Sequence, residues 1–360
     1  MAELADIFID WSNRFNSPLS EVQERAFDDI CACRTSEMDS GIIYFCPNCH
    51  DSHFTWKSCG NRHCPKCGND KITKWLAKRQ AEILSVDYYM VTFTLPAEFR
   101  IACEHHPKEM YKMFFATTSS ALKELALDKR FLGANIGMLA TLHTWRRDGE
   151  LHIHIHFLIP GGGLSKDGTY WIYPKNKKFL VHVKPLMRLF RGKFKAEFNK
   201  LELNEFIPYR IWNRDWVVHC KNVGNGMSSF KYLATYMQRV FISSNRIEQY
   251  DGENVTFRYK DSDTGQTMHR VMTALAFIQM FLKHILPSGF MKTRYYGLLA
   301  SANKEKLKSI RMMLLTSRRQ PPAEIEDFTV EPVKCSRCGT VMLMSLFGAR
   351  GPPDGVKEYA

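Results

Sequence analysis

Leu151-His152-Ile153-His154-Ile155-His156-Phe157-Leu158-Ile159-Pro160 alternates imidazoles with β-branched or aromatic side chains. A period of two is that of a β-strand, so His152, His154 and His156 leave one face while Ile153, Ile155 and Phe157 leave the other. One face is made for burial. The other carries three potential metal ligands, and an i, i+2 imidazole pair on a rigid strand aims two ring nitrogens at one point. An isolated His-x-His is commonly a solvated or hydrogen-bonded strand face; three histidines ahead of apolar residues and Gly161-Gly162-Gly163 point instead to a site. The glycines permit either close approach of backbone to DNA or a plain chain reversal.

Moving outward, residues 137–145 read as a strand, and Arg147-Asp148-Gly149-Glu150 supplies hairpin-turn chemistry. That strand should therefore run antiparallel to the histidine strand. His143 on it falls either near the metal or in a cross-strand packing role. Residues 88–95 form a further strand, stopped by Pro96, and 216–219 another. Helices are predicted at 107–127, 184–206, 270–285 and 304–315, with strand character over 242–260. Residues 1–25 read as one packing helix and 71–84 as an amphipathic one.

Seven of the eleven cysteines precede residue 68. Cys46-Pro-Asn-Cys49 and Cys64-Pro-Lys-Cys67 are tight knuckles that bring thiolates within reach of a tetrahedral ion. Cys33, Cys46, Cys49, Cys59, His63, Cys64 and Cys67, with Cys31 or His53 as an eighth donor, would fill two structural zinc sites and fold a segment with little core of its own. Cys335-Ser-Arg-Cys338 is a lone half-site that needs ligands from elsewhere. Redox chemistry is the rival reading, and no βαβ pattern accompanies the knuckles.

Fifty Lys and Arg against thirty-seven Asp and Glu leave a net charge of +13, which suits a polyanionic partner, nucleic acid first. Arg62 and Lys66 put part of that charge beside the cysteine knuckles. The sequence contains no apolar run long enough to span a bilayer, and Met1-Ala-Glu-Leu-Ala-Asp6 lacks the basic-then-apolar order of a secretory signal. The expectation is a cytoplasmic, nucleoid-associated bacterial protein with no membrane partner.

Ser228-Ser-Phe-Lys231-Tyr232-Leu-Ala-Thr-Tyr236-Met-Gln238-Arg239 changes the argument. Tyr232 and Tyr236, four apart, share one face of a helix. Such a pair is usually packing, but Lys231, Arg239 and Arg246 nearby suggest a DNA-facing surface. A histidine-hydrophobic-histidine strand followed by paired tyrosines resembles the HUH nucleases, and in particular the two-tyrosine rolling-circle transposases of the insertion-sequence ninety-one family. The resemblance extends over further blocks, among them Ser58 to Cys67, Val91 to Pro96, Leu142 to Trp145, Leu286-Pro-Ser-Gly-Phe290 and Arg294-Tyr-Tyr-Gly-Leu298.

The resemblance implies that His154 and His156 are the paired ligands of a catalytic Mg²⁺ or Mn²⁺, and that Tyr232 and Tyr236 are nucleophiles. His152 and Gln238 are the candidate third ligands. A phenol of pKa near 10 is a poor nucleophile at neutral pH, so a polarised phosphate is needed. The implied activity is nicking of single-stranded DNA at element ends through a 5′-phosphotyrosine, followed by strand transfer into target DNA without a nucleotide cofactor. A replication initiator or relaxase of the same chemistry, and a non-catalytic zinc-dependent DNA-binding regulator, are the alternatives. The expected fold is α+β: an HUH antiparallel sheet flanked by helices over residues 87–300, behind a small zinc-binding DNA-recognition domain over 1–86. A basic helix, the knuckle and a loose tail follow over 301–360.

Overall fold

A computed structural model of the chain describes residues 2–67, 75, 82–203, 207–225, 241–261, 264–316, 332–348 and 357–358. Helices and strands are numbered along the chain. Two compact units emerge, each assembled from separated stretches: Met1–Lys74, Gln238–Ile285 and Asp327–Ala360 in the first, Trp75–Met237 and Leu286–Glu326 in the second. They are not the three consecutive blocks read from the sequence. The C-terminal knuckle returns to the N-terminal unit because its thiols find their partners there, and the segment after the tyrosine pair does so through Phe281, whose ring lies 5.3 Å from that of Phe8.

In the first unit, α1 (Leu4–Trp11) and α2 (Glu21–Ala32) replace the single helix expected over 1–25. Pro18 cannot continue a helix, and Ser20 with Gln23 forms a capping box that starts a new one. Phe8 of α1 packs 4.7 Å from Phe27 of α2 and 5.3 Å from Phe281 of α6 (Ala274–Leu282). The latter helix begins four residues later than its periodicity suggests. Residues Thr267–Thr273 are instead strand β11, paired to β10 (Asn254–Lys260), which pairs in turn to β9 (Ile247–Tyr250). The Thr273 hydroxyl accepts from the Ala276 N–H and caps the helix. The remaining strands form a second sheet in the order β13-β1-β2-β14. The hairpin of β1 (Gly41–Phe45) and β2 (Ser52–Trp56) pairs antiparallel with β13 (Leu343–Phe347) and parallel with β14 (Lys357–Glu358).

The second unit is an α+β sandwich whose sheet has the strand order β12-β4-β5-β3-β8, every pairing antiparallel. The histidine strand β5 (Leu151–Pro160) sits in the centre between β4 (Gly137–Trp145) and β3 (Asp87–Thr94), with β12 (Thr293–Gly297) and β8 (Val218–Asn225) at the edges. Side chains alternate as the period of two requires: Ile153, Ile155 and Phe157 are buried, while His152, His154 and His156 are half-buried. The apolar face packs on α4 (Pro107–Leu127) and α5 (Val183–Phe198), with Phe93 lying 5.6 Å from Phe157 and 5.1 Å from Phe190. Each large side chain so buried contributes about 1.5–3 kcal/mol. Helix α3 (Arg100–His105), the two-residue strands β6 (Gly163–Leu164) and β7 (Trp171–Ile172), and α7 (Lys304–Thr316) complete the described elements larger than a single 3₁₀ turn. Among the described residues no helix is long and apolar enough to cross a membrane.

The triple glycine is a close approach of backbones and not a chain reversal: Gly161 still donates to the Asp87 carbonyl oxygen, and Leu164 still pairs antiparallel with Asn135 ahead of β4. A Cβ at Gly162, whose φ is +127°, would lie 2.3 Å from the Ile172 carbonyl oxygen, and one at Gly163 would lie 2.4 Å from that of Asn135. Only glycine fits where the backbones meet this closely.

Candidate functional site

The polar face of the second unit's sheet is built by cross-strand register. His143 of β4 lies opposite His154 of β5, and Thr141 opposite His156; from the other side, Thr94 and Thr92 of β3 oppose the same two histidines. Directly opposed residues in an antiparallel pair share a face. Ring centroids are 5.2 Å apart for His143 and His154, 5.0 Å for His143 and His156, and 4.9 Å for His154 and His156. One nitrogen from each of the three rings lies within 4.8 Å of the other two.

The third imidazole of this group is thus His143, not His152. The ring of His152 is 5.1 Å from that of His154 alone and stands outside the cluster. Two steps along a strand separate Cα atoms by about 6.8 Å, whereas opposed residues on neighbouring strands lie about 4.5–5.5 Å apart. The neighbouring strand therefore closes a ligand set more easily than the same strand does. Gln238, the other candidate, lies outside the described residues, as do Tyr232, Tyr236, Lys231 and Arg239.

Hydrogen bonds set the tautomers. The Nδ1–H of His154 donates to the His152 carbonyl oxygen at 2.9 Å, and His156 Nδ1 pairs with the Thr92 hydroxyl at 2.9 Å. With Nδ1 of both rings engaged, Nε2 is the atom each leaves for a metal. Burial pushes the pKa of His154 well below its ordinary value, aided by positive charge on His156, and pushes His156 down to about 4, aided by Lys221. Both rings are therefore neutral at physiological pH, the form that gives a lone pair to a metal. Thr141 adds a fitting detail, since its hydroxyl is fully buried beside the histidines and has no hydrogen-bond partner among the described residues. Three imidazoles, two of them held neutral by burial, with a spare hydroxyl beside them suit a divalent ion, and Trp145 stacks 4.9 Å from His143.

The first unit holds two further clusters, each of four cysteines. Cys33, Cys59, Cys64 and Cys67 form one; Cys46, Cys49, Cys335 and Cys338 form the other. Sulfur-to-sulfur distances are 3.6 Å for Cys33 to Cys64, Cys33 to Cys67 and Cys59 to Cys67. In the second cluster they are 3.4 Å for Cys46 to Cys338, 3.5 Å for Cys49 to Cys335 and 3.7 Å for Cys49 to Cys338. A tetrahedron with metal–sulfur bonds of about 2.3 Å has edges of about 3.8 Å, so both clusters have the size of a tetrathiolate zinc site. Backbone N–H groups of Cys59 and Asn61 donate to the sulfurs of Cys33 and Cys59. The Cys33 thiol is pulled down by hydrogen bonds with Cys59 and Cys64, and Cys338 to about 6 by the Thr340 hydroxyl, which favours thiolate.

Several expected donors fall outside these clusters. Cys31 is pushed up to about 12 by burial, consistent with an inert thiol. His53 stacks 5.1 Å from Tyr44 across the β1–β2 pair, and the His63 ring takes a hydrogen bond from Arg62 at 3.3 Å. The knuckle at residues 335–338 supplies the thiols that His53 and His63 were expected to replace. Of the basic residues assigned to DNA, Lys66 pairs with Glu3 at 2.6 Å, Arg246 donates to the carbonyl oxygens of Arg258 and Phe241, and Lys231 and Arg239 lie outside the described residues.

Comparison with known proteins agrees with this layout. Residues 5–95 match the family described as "Transposase zinc-binding domain", and residues 137–306 the family described as "Putative transposase". A "Putative transposase y4qJ" of Sinorhizobium fredii is 34% identical over 98% of this chain and 97% of its own length. The "Transposase for insertion sequence element IS801" of Pseudomonas savastanoi pv. phaseolicola is 24% identical over 90% of this chain and 84% of its own. With a zinc-binding segment in front, a histidine-bearing sheet behind it and relatives matched from end to end, the chain belongs to the IS91 family of insertion-sequence transposases.

Proposed function

We propose that this transposase cuts and rejoins single-stranded DNA by tyrosine attack at a centre held by His143, His154 and His156. The observation that carries the reading is the convergence of three imidazoles, His154 and His156 held neutral by burial, on the polar face of an antiparallel sheet. A divalent ion bound there would supply Lewis acidity, drawing charge from a non-bridging oxygen of the scissile phosphate. The phenol oxygen of Tyr232 or Tyr236 attacks phosphorus and loses its proton; the P–O3′ bond breaks, and the departing 3′ oxygen gains a proton. One phosphodiester replaces another, so no nucleotide cofactor is consumed. Attack of a free 3′-OH on the phosphotyrosine reverses the step, and the second tyrosine allows one end to be held while another is cut. Such alternation gives the rolling-circle-like transfer implied by the resemblance.

The residues around the imidazoles serve the same end. Thr92 orients His156, and the charges of Lys221 and Lys292 raise the positive potential where phosphate would sit. An all-nitrogen protein donor set favours Mn²⁺ over Mg²⁺, which prefers oxygen ligands in an octahedral shell. The two cysteine clusters are read as structural zinc sites, closed by four thiolates each.

The test is a labelled single-stranded oligonucleotide spanning an element end, incubated with the protein and Mn²⁺. A covalent protein–DNA adduct is expected in which tyrosine holds the 5′ phosphate of the fragment downstream of the cut, while the upstream fragment leaves with a free 3′-OH; it should be lost to background when Tyr232→Phe and Tyr236→Phe are combined. Binding without any adduct would instead make the chain a zinc-dependent DNA-binding regulator.

A further inference from the structure

The motif from Leu286 to Leu298 gives the chemistry above only the charge of Lys292, yet it builds a pocket. Pro287-Ser288-Gly289-Phe290 closes a tight turn, with the Phe290 N–H donating to the Pro287 carbonyl oxygen at 3.1 Å and Gly289 at φ +66°. The turn sets Phe290 inward, 5.7 Å from Tyr111, and leaves Met291 66% exposed. Arg294 of β12 spreads its guanidinium 4.2 Å above the Phe115 ring and 5.0 Å from that of Phe290. Facing this group across an open cavity of about 380 Å³ are Lys108 and Lys112, one turn apart at the start of α4. The cavity is lined by three cations and no carboxylate. Among the described residues neither lysine makes an ion pair, and the positive end of a 21-residue helix lies beside them.

We propose that this pocket binds a nucleotide of the DNA strand that runs to the metal centre, its phosphate on Lys108, Lys112 and Arg294 and its base against Phe290 and Met291. The chemistry is that of single-strand binding generally, where cations track the backbone and apolar or aromatic faces take the bases. Its place in the sheet supports the assignment. Arg294 points to the helix side of edge strand β12, while its neighbour Thr293 opposes Thr141, which opposes His156. Two inter-strand spacings of about 4.8 Å separate β12 from β5, so the sheet edge beside the pocket lies about 10 Å across the sheet from the histidine strand, and a DNA strand rounding that edge reaches both. Lys292, lying 4.9 Å over the Trp145 ring, marks the route, since that ring stacks on His143.

The inference rests on the single-strand reading above, and the test separates the two. Binding of a fluorescent oligothymidylate is measured without added divalent metal and without chelator across a salt series for the full-length protein and for K108A/K112A, with zinc content and melting temperature as folding controls. The variant should bind about tenfold more weakly, and the slope of log K against log salt should fall by about 1.4, two phosphate contacts at about 0.7 each. An unchanged affinity and slope would overturn the proposal. Thymidine monophosphate should compete only in the millimolar range; tight, Lys108-dependent binding of the mononucleotide with unchanged oligonucleotide affinity would also overturn it, in favour of a free-nucleotide site. Lysine-dependent binding by a wild-type protein that forms no adduct would sink the nuclease reading and leave the pocket standing.

Discussion

Alanine at His143 should lower adduct formation about a thousandfold, as much as alanine at His154 or His156, whereas His152→Ala should cost far less. The expectation follows from register. His143 is the residue directly opposite His154, its ring is within 5.2 Å of both others, and all three offer a nitrogen to one point. Removing one of three protein ligands weakens the hold on the ion and the polarisation of the phosphate, an effect of several kcal/mol at the transition state. Each 1.36 kcal/mol is a factor of ten in rate. The Thr92 hydroxyl acts through His156 alone, so Thr92→Val should reduce Mn²⁺ affinity by about 10–100-fold and recover at high metal. The measurement is the rate of adduct formation against Mn²⁺ concentration. Wild-type activity in His143→Ala, or loss of zinc from it, would remove His143 from the centre.

How much of this was legible in the residues follows the range of the forces involved. The histidine strand, the hairpin that returns to it and the helix at Pro107–Leu127 could be read from period and turn chemistry, because those signals are local. His143 was visible only as a question, since its role depends on whether the β4–β5 register puts it opposite His154 or one residue away, and a slip of one moves it to the other face. The cysteine segment announced zinc through its knuckles, but the pairing did not follow sequence proximity. Cys335 and Cys338 join Cys46 and Cys49 across almost 300 residues, a closure that loop entropy penalises only logarithmically and that no local pattern encodes. His63, with His53 or Cys31, was drawn into the expected ligand set because two tetrahedral sites need eight donors and the six knuckle-region cysteines from Cys33 to Cys67 fall short. Helix starts were misplaced where a strand or a cap competes, as at Thr273 and Ser20. The cationic pocket left no readable signature, for it joins one face of a helix to a turn about 180 residues later.

The long-range closure also makes the second large prediction. Serine at both Cys335 and Cys338 should take the zinc content from two ions per chain to one and unfold the sheet around β1. Strand β13 is held to the unit by its ladder to β1, from Gly41 opposite Phe347 to Phe45 opposite Leu343, and by the sulfur cluster beyond it. Its own side chains give little help: Leu343, Met344 and Leu346 are 60–69% exposed, and only Phe347 is buried, against Phe54 and Trp56. The apolar core around the cluster amounts to Cys46, Cys335 and Met342 with Tyr44 and Cys49 beside them. A segment so poor in buried carbon takes its stability from the metal, for which structural zinc sites supply about 10–16 kcal/mol in small peptides. Serine cannot replace that, since a neutral hydroxyl is a poor zinc ligand. The cluster of Cys33, Cys59, Cys64 and Cys67 shares no residue with it and should keep its ion. Metal analysis of the purified variant counts the ions, and hydrogen exchange of the β1 and β13 amides reads the sheet. Two zinc ions retained, with protection of Ile43 and Phe45 unchanged, would show that the C-terminal knuckle is not a ligand pair for the N-terminal one.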